Sequence, residues 1–252
     1  MRIAIITGAS SGMGRDFVSA IDQAYELDEI WVIARREGKL KELVGKAKAS
    51  IRPIALDLSL DHSILHISSL LSETNPDVKA LVNAAGYGVF GAFKDITLED
   101  SRGIVDLNDK ALVAMTYAVL PFMKRGSAII NLGSNSSWQP VPYMAVYGAS
   151  KAFVLSFSRA LSVELKERGI RVLACCPGWI KTEFFDRAVR DDTIKYYDRF
   201  YESKDVVAKA MKDLKKGKLV SILGFPVRMQ VRLVKFLPVK AIMGIWCKQQ
   251  GK

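Results

Sequence analysis

Residues 147–151 of the 252-residue chain read YGASK, a tyrosine and a lysine four positions apart with only small residues between them. Residues at that spacing share one helix face, so Tyr147 and Lys151 point into the same space. An ammonium beside a phenol favours phenolate and draws its pKa down from about 10 toward working pH, which makes a proton donor. The string alone fits equally well an ordinary tyrosine on an exposed helix face.

A second chemical pattern stands near the amino terminus. The stretch TGASSGMG (7–14) follows an apolar run and opens a helical stretch from Met13 to about Tyr25. Gly8 permits a tight turn, Gly12 lets the backbone approach a pyrophosphate and Gly14 lets helix and strand come close. Ser10, Ser11 and Met13 lie on the same loop, and the helix amino terminus offers free N–H groups and its dipole to an anion. The next apolar run ends VIARREGKL, with Ala34, Arg35 and Arg36 where an NAD site would carry an acid against a 2′-phosphate. Guanidinium forks bind phosphate instead, so NADP(H) is the expected cofactor.

These residues need a frame to hold them. RIAII (2–6), IWVIA (30–34), PIALD (53–57), KALVN (79–83), SAIINL (127–132), IRVLACC (170–176) and KLVSIL (218–223) read as seven strands, most of them apolar on both faces, with helical stretches between. That alternation predicts a parallel sheet covered on both sides, a doubly wound Rossmann-like α/β fold. The longest irregular stretch, about 178–203, falls near the carboxyl end of the sheet and is expected to be a lid or specificity segment.

Composition narrows the class. Half the residues are hydrophobic, yet no run approaches the ~20 apolar residues that span a bilayer. MRIAIITGAS lacks the length and cleavage region of a secretory signal, and Cys175, Cys176 and Cys247 show no metal-type spacing, so a cytoplasmic protein without a metal is expected. The net charge of +11 is uneven: residues 209–252 hold eleven Lys or Arg against one acid, Asp213, a net of +10, which leaves +1 for the first 208. A near-neutral body with a basic end is not a nucleic-acid surface.

Seven motifs in order make the chain similar to the short-chain dehydrogenase/reductase family: TGASSGMG, Asp57–Leu58, NAAG (83–86), Asn108, Ser134, YGASK and PGWIKT (177–182). The resemblance covers about residues 1–225, read as one catalytic domain, with 226–252 a basic amphipathic extension. It implies a small-molecule carbonyl or alcohol substrate and a homodimer or homotetramer. Tyr147 would protonate the carbonyl oxygen and Ser134, thirteen residues before it, would hydrogen-bond that oxygen. Lys151 would bind the nicotinamide ribose and acidify Tyr147, and Asn108 would hold a water that connects Lys151 to solvent. Asp57 and Leu58 would lie beside the adenine, the backbone of Asn83, Ala84 and Gly86 along the cofactor, and Pro177, Gly178, Ile180 and Thr182 at the nicotinamide end. Two positions depart from the family pattern: Ala84 replaces an asparagine and Gly133 a frequent serine.

The implied activity is NADPH-dependent reduction of ketones or aldehydes, reversible toward secondary alcohols; a noncatalytic NADP(H)-binding sensor on the same fold is the alternative. Trp138, Pro140, Val141 and Tyr143, with Trp179, Phe184 and Phe185, either line an apolar pocket suited to a lipophilic substrate or simply complete the core. His62 and His66, four apart, read as a solvated helix face, and the NSS sequon (135–137) as unmodified. In the tail, Arg228, Arg232 and Lys235 share a helix face that Pro238 should end. Residues 226–248 either rest on an anionic membrane surface, cap the cleft, or form a subunit interface.

Overall fold

A computed structural model describes residues 1–252. The chain runs β1 (Arg2–Thr7), α1 (Gly12–Ala24), β2 (Glu29–Ala34), α2 (Glu37–Lys41), β3 (Ser50–Ala55), α3 (Asp61–Thr74) and β4 (Asp77–Asn83). It continues through α4 (Leu98–Val105), a turn of π-helix (Asp106–Lys110), α5 (Ala111–Val119), β5 (Met123–Leu132), α6 (Ala145–Glu164) and β6 (Arg171–Cys175). Then come β7 (Trp179–Ile180), α7 (Phe184–Ala188), β8 (Phe200–Tyr201), α8 (Ser203–Lys215), β9 (Val220–Ser221), α9 (Phe225–Leu233) and α10 (Val239–Gln249).

Seven strands form one sheet in the order β3-β2-β1-β4-β5-β6-β9, and every pair is parallel. Alternate residues of each strand feed opposite cores. From β1, Ile3 and Ile5 join Ile67 and Leu71 of α3, Met115 of α5 and Leu161 of α6. Ala4 and Ile6 join Phe17 and Ile21 of α1 with Val206 and Ala210 of α8 on the other face. A strand buried on both faces must be apolar throughout, which is why the sheet is so legible in the sequence. The order reverses between β1 and β4, so the chain segments leaving those two strands diverge and open a crevice at their carboxyl ends.

The third strand starts earlier than its apolar run suggests, at Ser50 rather than Pro53, and ends at Ala55. As an edge strand it is covered less completely, and its polar positions Ser50 and Arg52 hide its start; Pro53 is tolerated at an edge. Segment 178–203 carries β7 paired to β8, with α7 between them. Helix α9 ends at Leu233, short of Pro238, which instead caps α10.

Candidate active site

The loop after β1 turns at Gly8 and Gly12, whose φ values of +66° and +49° lie in the left-handed region. A Cβ on Gly8 would lie 2.7 Å from the Ala84 carbonyl oxygen, and one on Gly14 would lie 2.3 Å from the Gly8 oxygen. The strand ends and the helix therefore meet backbone to backbone. Thr7 secures the junction by accepting from the Ala84 and Ala85 amides at 3.0 Å each. Ser11, the N-cap of α1, makes no side-chain cap, which leaves the first-turn amides free for an anion.

Beyond β2, Arg36 donates through Nε and Nη2 to Ser10 Oγ at 3.3 and 3.0 Å and pairs with Glu183 at 2.8 Å. Arg35 stands 3.7 Å from Asp57. Burial pushes the Asp57 carboxyl up, but hydrogen bonds from Ser59 and the charge of Arg35 outweigh it and hold the group below the usual carboxylate range. Both guanidinium groups border the same crevice as the glycine loop.

At its other end the crevice meets α6. Tyr147, in the first turn, is half-buried; Lys151, one turn on, is buried. A Cβ on Gly88 would fall 2.7 Å from Tyr147 Cδ2, so the loop after β4 admits the ring only because residue 88 is glycine. Ser134, on the turn after β5, accepts from the Ser136 amide at 3.2 Å and donates to Asn135 Oδ1 at 3.2 Å. Ser137 braces the turn, accepting from the Ser134 amide and donating to the Lys151 carbonyl at 2.8 Å.

The acidified phenol expected from the Tyr147–Lys151 spacing is not found. Lys151 Nζ lies 5.8 Å from the centre of the Tyr147 ring and donates to the Leu132 carbonyl at 2.8 Å. Burial pushes the Tyr147 phenol up to about 12, the Ser134 hydroxyl drawing it the other way. Burial pulls the Lys151 ammonium down to about 8, against the opposing charge of Asp109.

Two expected site residues stand behind the cavity wall. Asn108 spends its side chain on Tyr87, accepting from its amide at 2.9 Å and donating to its carbonyl at 3.0 Å, and on Ser150 Oγ at 3.0 Å. Its side chain ties the loop after β4 to α6. The Asn83 side chain is turned into the interior, donating to Asn131 and Thr116 at 2.9 and 3.1 Å, so it supports the strand ends. The remaining expected residues line the cavity: Gly8 and Ser10 to Gly14 of the loop, Arg35, Arg36, Asp57, Leu58, Ala84, Gly86, Ser134, Tyr147, Lys151, Pro177, Gly178, Ile180 and Thr182.

Asp109 escaped the sequence reading. It sits in the π-helical turn beside Asn108; burial pushes its carboxyl up to about 7, with Lys151 drawing it down. The DLND string gives no sign of this because the coupling to Lys151 crosses 42 residues. Gly133 also finds its reason here: a Cβ there would lie 2.6 Å from Cys176 Sγ, so the buried thiol fills the space a serine would need.

One continuous cavity of about 860 Å³ runs from the glycine loop to an apolar end. Val141, Trp179, Phe184 and Phe185 line it, whereas Trp138, Pro140 and Tyr143 do not. Trp138 joins the cluster of Leu155 and Cys176, under the Arg159 guanidinium. Tyr147 contacts the aromatic group directly, 5.5 Å from Phe184 and 6.5 Å from Phe90 between ring centres. The segment 178–203 closes this end. Glu183 ties it to Arg36, and Arg190 forks onto Asp100 of α4 at 2.6 and 2.9 Å. Gln250, buried near the carboxyl terminus, accepts from the Lys195 and Tyr196 amides at 2.9 and 3.0 Å. Val227, Leu233, Leu237, Ile242 and Trp246 complete the wall, so the tail roofs the cleft.

The family model for short chain dehydrogenases matches residues 2–193. The chain belongs to the short chain dehydrogenase family. It is 37% identical over 189 residues to sulfoacetaldehyde reductase 2 of Chromohalobacter salexigens, covering 72% of this chain and 74% of that one. It is 33% identical over 188 residues to the NADP-dependent 3-hydroxy acid dehydrogenase of Schizosaccharomyces pombe, covering 71% and 72%. Among solved structures, a short-chain dehydrogenase of Sphingobium yanoikuyae in complex with NADPH superposes with a TM-score of 0.79 at 28% identity, covering 91% of each chain. As a family member the protein is an NAD(P)-dependent oxidoreductase acting on small carbonyl or alcohol compounds. The residues present fit a nicotinamide dinucleotide: the glycine loop lines the cavity, and the amino terminus of α1 carries no side-chain cap, so its amides are available to a diphosphate. No helix is long and apolar enough to cross a membrane.

Proposed function

We propose that the protein is an NADPH-dependent reductase of lipophilic ketones or aldehydes, reversible toward secondary alcohols. The observation that carries this reading is the meeting, within one cavity, of a phosphate-type glycine loop, two arginines, the Ser134–Tyr147–Lys151 group and an aromatic end. When bound, the reduced nicotinamide supplies the hydride that the carbonyl carbon accepts.

The chain's residues supply the rest. Tyr147 Oη donates the proton that the carbonyl oxygen gains, and a phenol at about 12 remains protonated and ready throughout the neutral range. Ser134 Oγ donates a hydrogen bond to the same oxygen as its charge develops. Lys151 holds the nicotinamide ribose and lends positive charge below pH 8 or so. Arg35 and Arg36 bind the 2′-phosphate; Asp57 and Leu58 border the adenine, and Pro177, Gly178, Ile180 and Thr182 the nicotinamide end. Asn108 and Asn83 act as positioning residues through the bonds described above. NADP(H) preference is supported by the paired arginines at the end of β2 and by the NADPH-bound relative.

The substrate follows from the far wall. Phe184, Phe185 and Trp179 are apolar, and much of the opposite side comes from residues after 193, beyond the family match. The polar substrates in the relatives' names therefore do not transfer. Initial rates of NADPH oxidation with methyl ketones of increasing chain length test this: kcat/KM should rise roughly 3- to 4-fold per methylene, from about 0.8 kcal/mol of burial each, until the cavity is filled. A preference for small anionic aldehydes would overturn the lipophilic assignment.

A further inference from the structure

The tail that roofs the cleft has a second side. From residue 225 to the carboxyl terminus there are six Lys or Arg and no Asp or Glu. Arg228, Arg232, Lys235, Lys240 and Lys248 are exposed, and none makes an ion pair within the chain. Apolar side chains in and beside the turn joining α9 to α10 project outward: Phe236 is 84% exposed, Leu233 55%, Val239 52% and Leu237 44%. The inner residues Val227, Val231 and Ile242 are buried against the body, so this outer set is surplus to what holds the tail in place. Clustered exposed apolar side chains mark an interaction surface, and here the segment that carries them has cations as its only charged side chains.

We infer that the α9–α10 segment is an interfacial anchor for an anionic lipid surface, with the turn at Phe236 dipping among acyl chains and the segment's arginines and lysines lying on headgroup phosphates. Charge decides the occupant. A second copy docked symmetrically would press this patch against itself and oppose six positive charges with six, whereas an anionic bilayer supplies the missing negative charge as well as the apolar medium. Leu233, Leu237 and Ile245 both line the cavity and stand about half exposed, so the cleft opens beside the turn. Anchoring would set that mouth at the headgroup boundary, where lipophilic carbonyl compounds dissolve. This last consequence rests on the proposed activity; the anchor itself does not.

The test is flotation of the full-length protein with vesicles of phosphatidylcholine alone or with added phosphatidylglycerol, at about 0.1 M salt, where the Debye length is about 10 Å. A basic side chain at an anionic surface is worth roughly fivefold in partitioning, so the triple change Arg228→Gln, Arg232→Gln, Lys235→Gln should weaken binding on the order of 100-fold. Phe236→Ser with Val239→Ser, both outside the cavity wall, should weaken it roughly 10-fold or more while leaving NADPH affinity unchanged. Absence of binding to the anionic vesicles, or binding that neither variant reduces, overturns the inference. So does a stable dimer that the Phe236 and Val239 variant splits, because the patch would then belong to a second copy. Vesicle binding requires no turnover, so its failure is distinct from failure of the proposed reaction.

Discussion

Arg36→Ala tests the proposal that this arginine separates the two nicotinamide dinucleotides. In the structure its guanidinium makes two bonds to Ser10 on the phosphate loop and one ion pair to Glu183 on the lid. A charge-assisted bond from guanidinium to phosphate contributes about 1.5–3 kcal/mol. To form it, Arg36 gives up the Glu183 pair, which is half-exposed on both sides and worth about 0–1 kcal/mol. The net is about 0.5–3 kcal/mol, so the variant should bind NADPH roughly 2- to 150-fold more weakly. NADH lacks the 2′-phosphate and should bind within about 2-fold of the parent protein, since the glycine cradle is made of backbone. Glu183→Gln should act in the opposite direction, strengthening NADPH by up to about 5-fold through release of the competing pair. Calorimetric titration of both cofactors reads these numbers without any substrate. Equal loss of NADPH and NADH would mean that Arg36 only braces the loop, and no loss of either would refute its role altogether.

Two further outcomes follow from the site. Lys151 titrates near 8 because burial disfavours its charge, so the charge is present below that pH and lost above it; carbonyl reduction should hold a plateau at neutral pH and fall above about 8, with no inflection from Tyr147 until far higher, as a kcat profile would reveal. Gly88→Ala places a Cβ 2.7 Å from Tyr147 Cδ2 and 3.2 Å from Phe184 Cζ, which must turn the phenol; kcat should drop at least about 10-fold with NADPH affinity kept, because a displacement of about 1 Å is that damaging to a reacting geometry.

The sheet could be read from the sequence because burial on both faces leaves apolar runs that need no partner to be recognised. β3 was displaced for the opposite reason: at the edge, half-covered positions such as Ser50 and Arg52 carry no apolar signal. Glycines that admit a neighbour were legible where a motif fixed them, as at Gly8 and Gly12, and illegible where the neighbour lies far along the chain. Gly133 is explained by a thiol 43 positions later. Side-chain partners were not legible. Asn83 and Asn108 turn their side chains inward, since buried amides must find partners, and those partners, Asn131, Thr116, Tyr87 and Ser150, are set by packing. The Tyr147–Lys151 spacing correctly placed both groups on one face of α6. It gave no warning that desolvation would exceed their mutual influence, a balance that depends on everything around them.

The central assignment makes Tyr147 the proton donor, and Tyr147→Phe removes one oxygen from a ring whose aromatic neighbours Phe90 and Phe184 would remain in contact. Single-turnover reduction of a lipophilic ketone by bound NADPH should slow about 10²- to 10⁴-fold, while the NADPH dissociation constant stays within about 2-fold. A rate within a few-fold of the parent protein would contradict the assignment and move the proton donor elsewhere in the cavity.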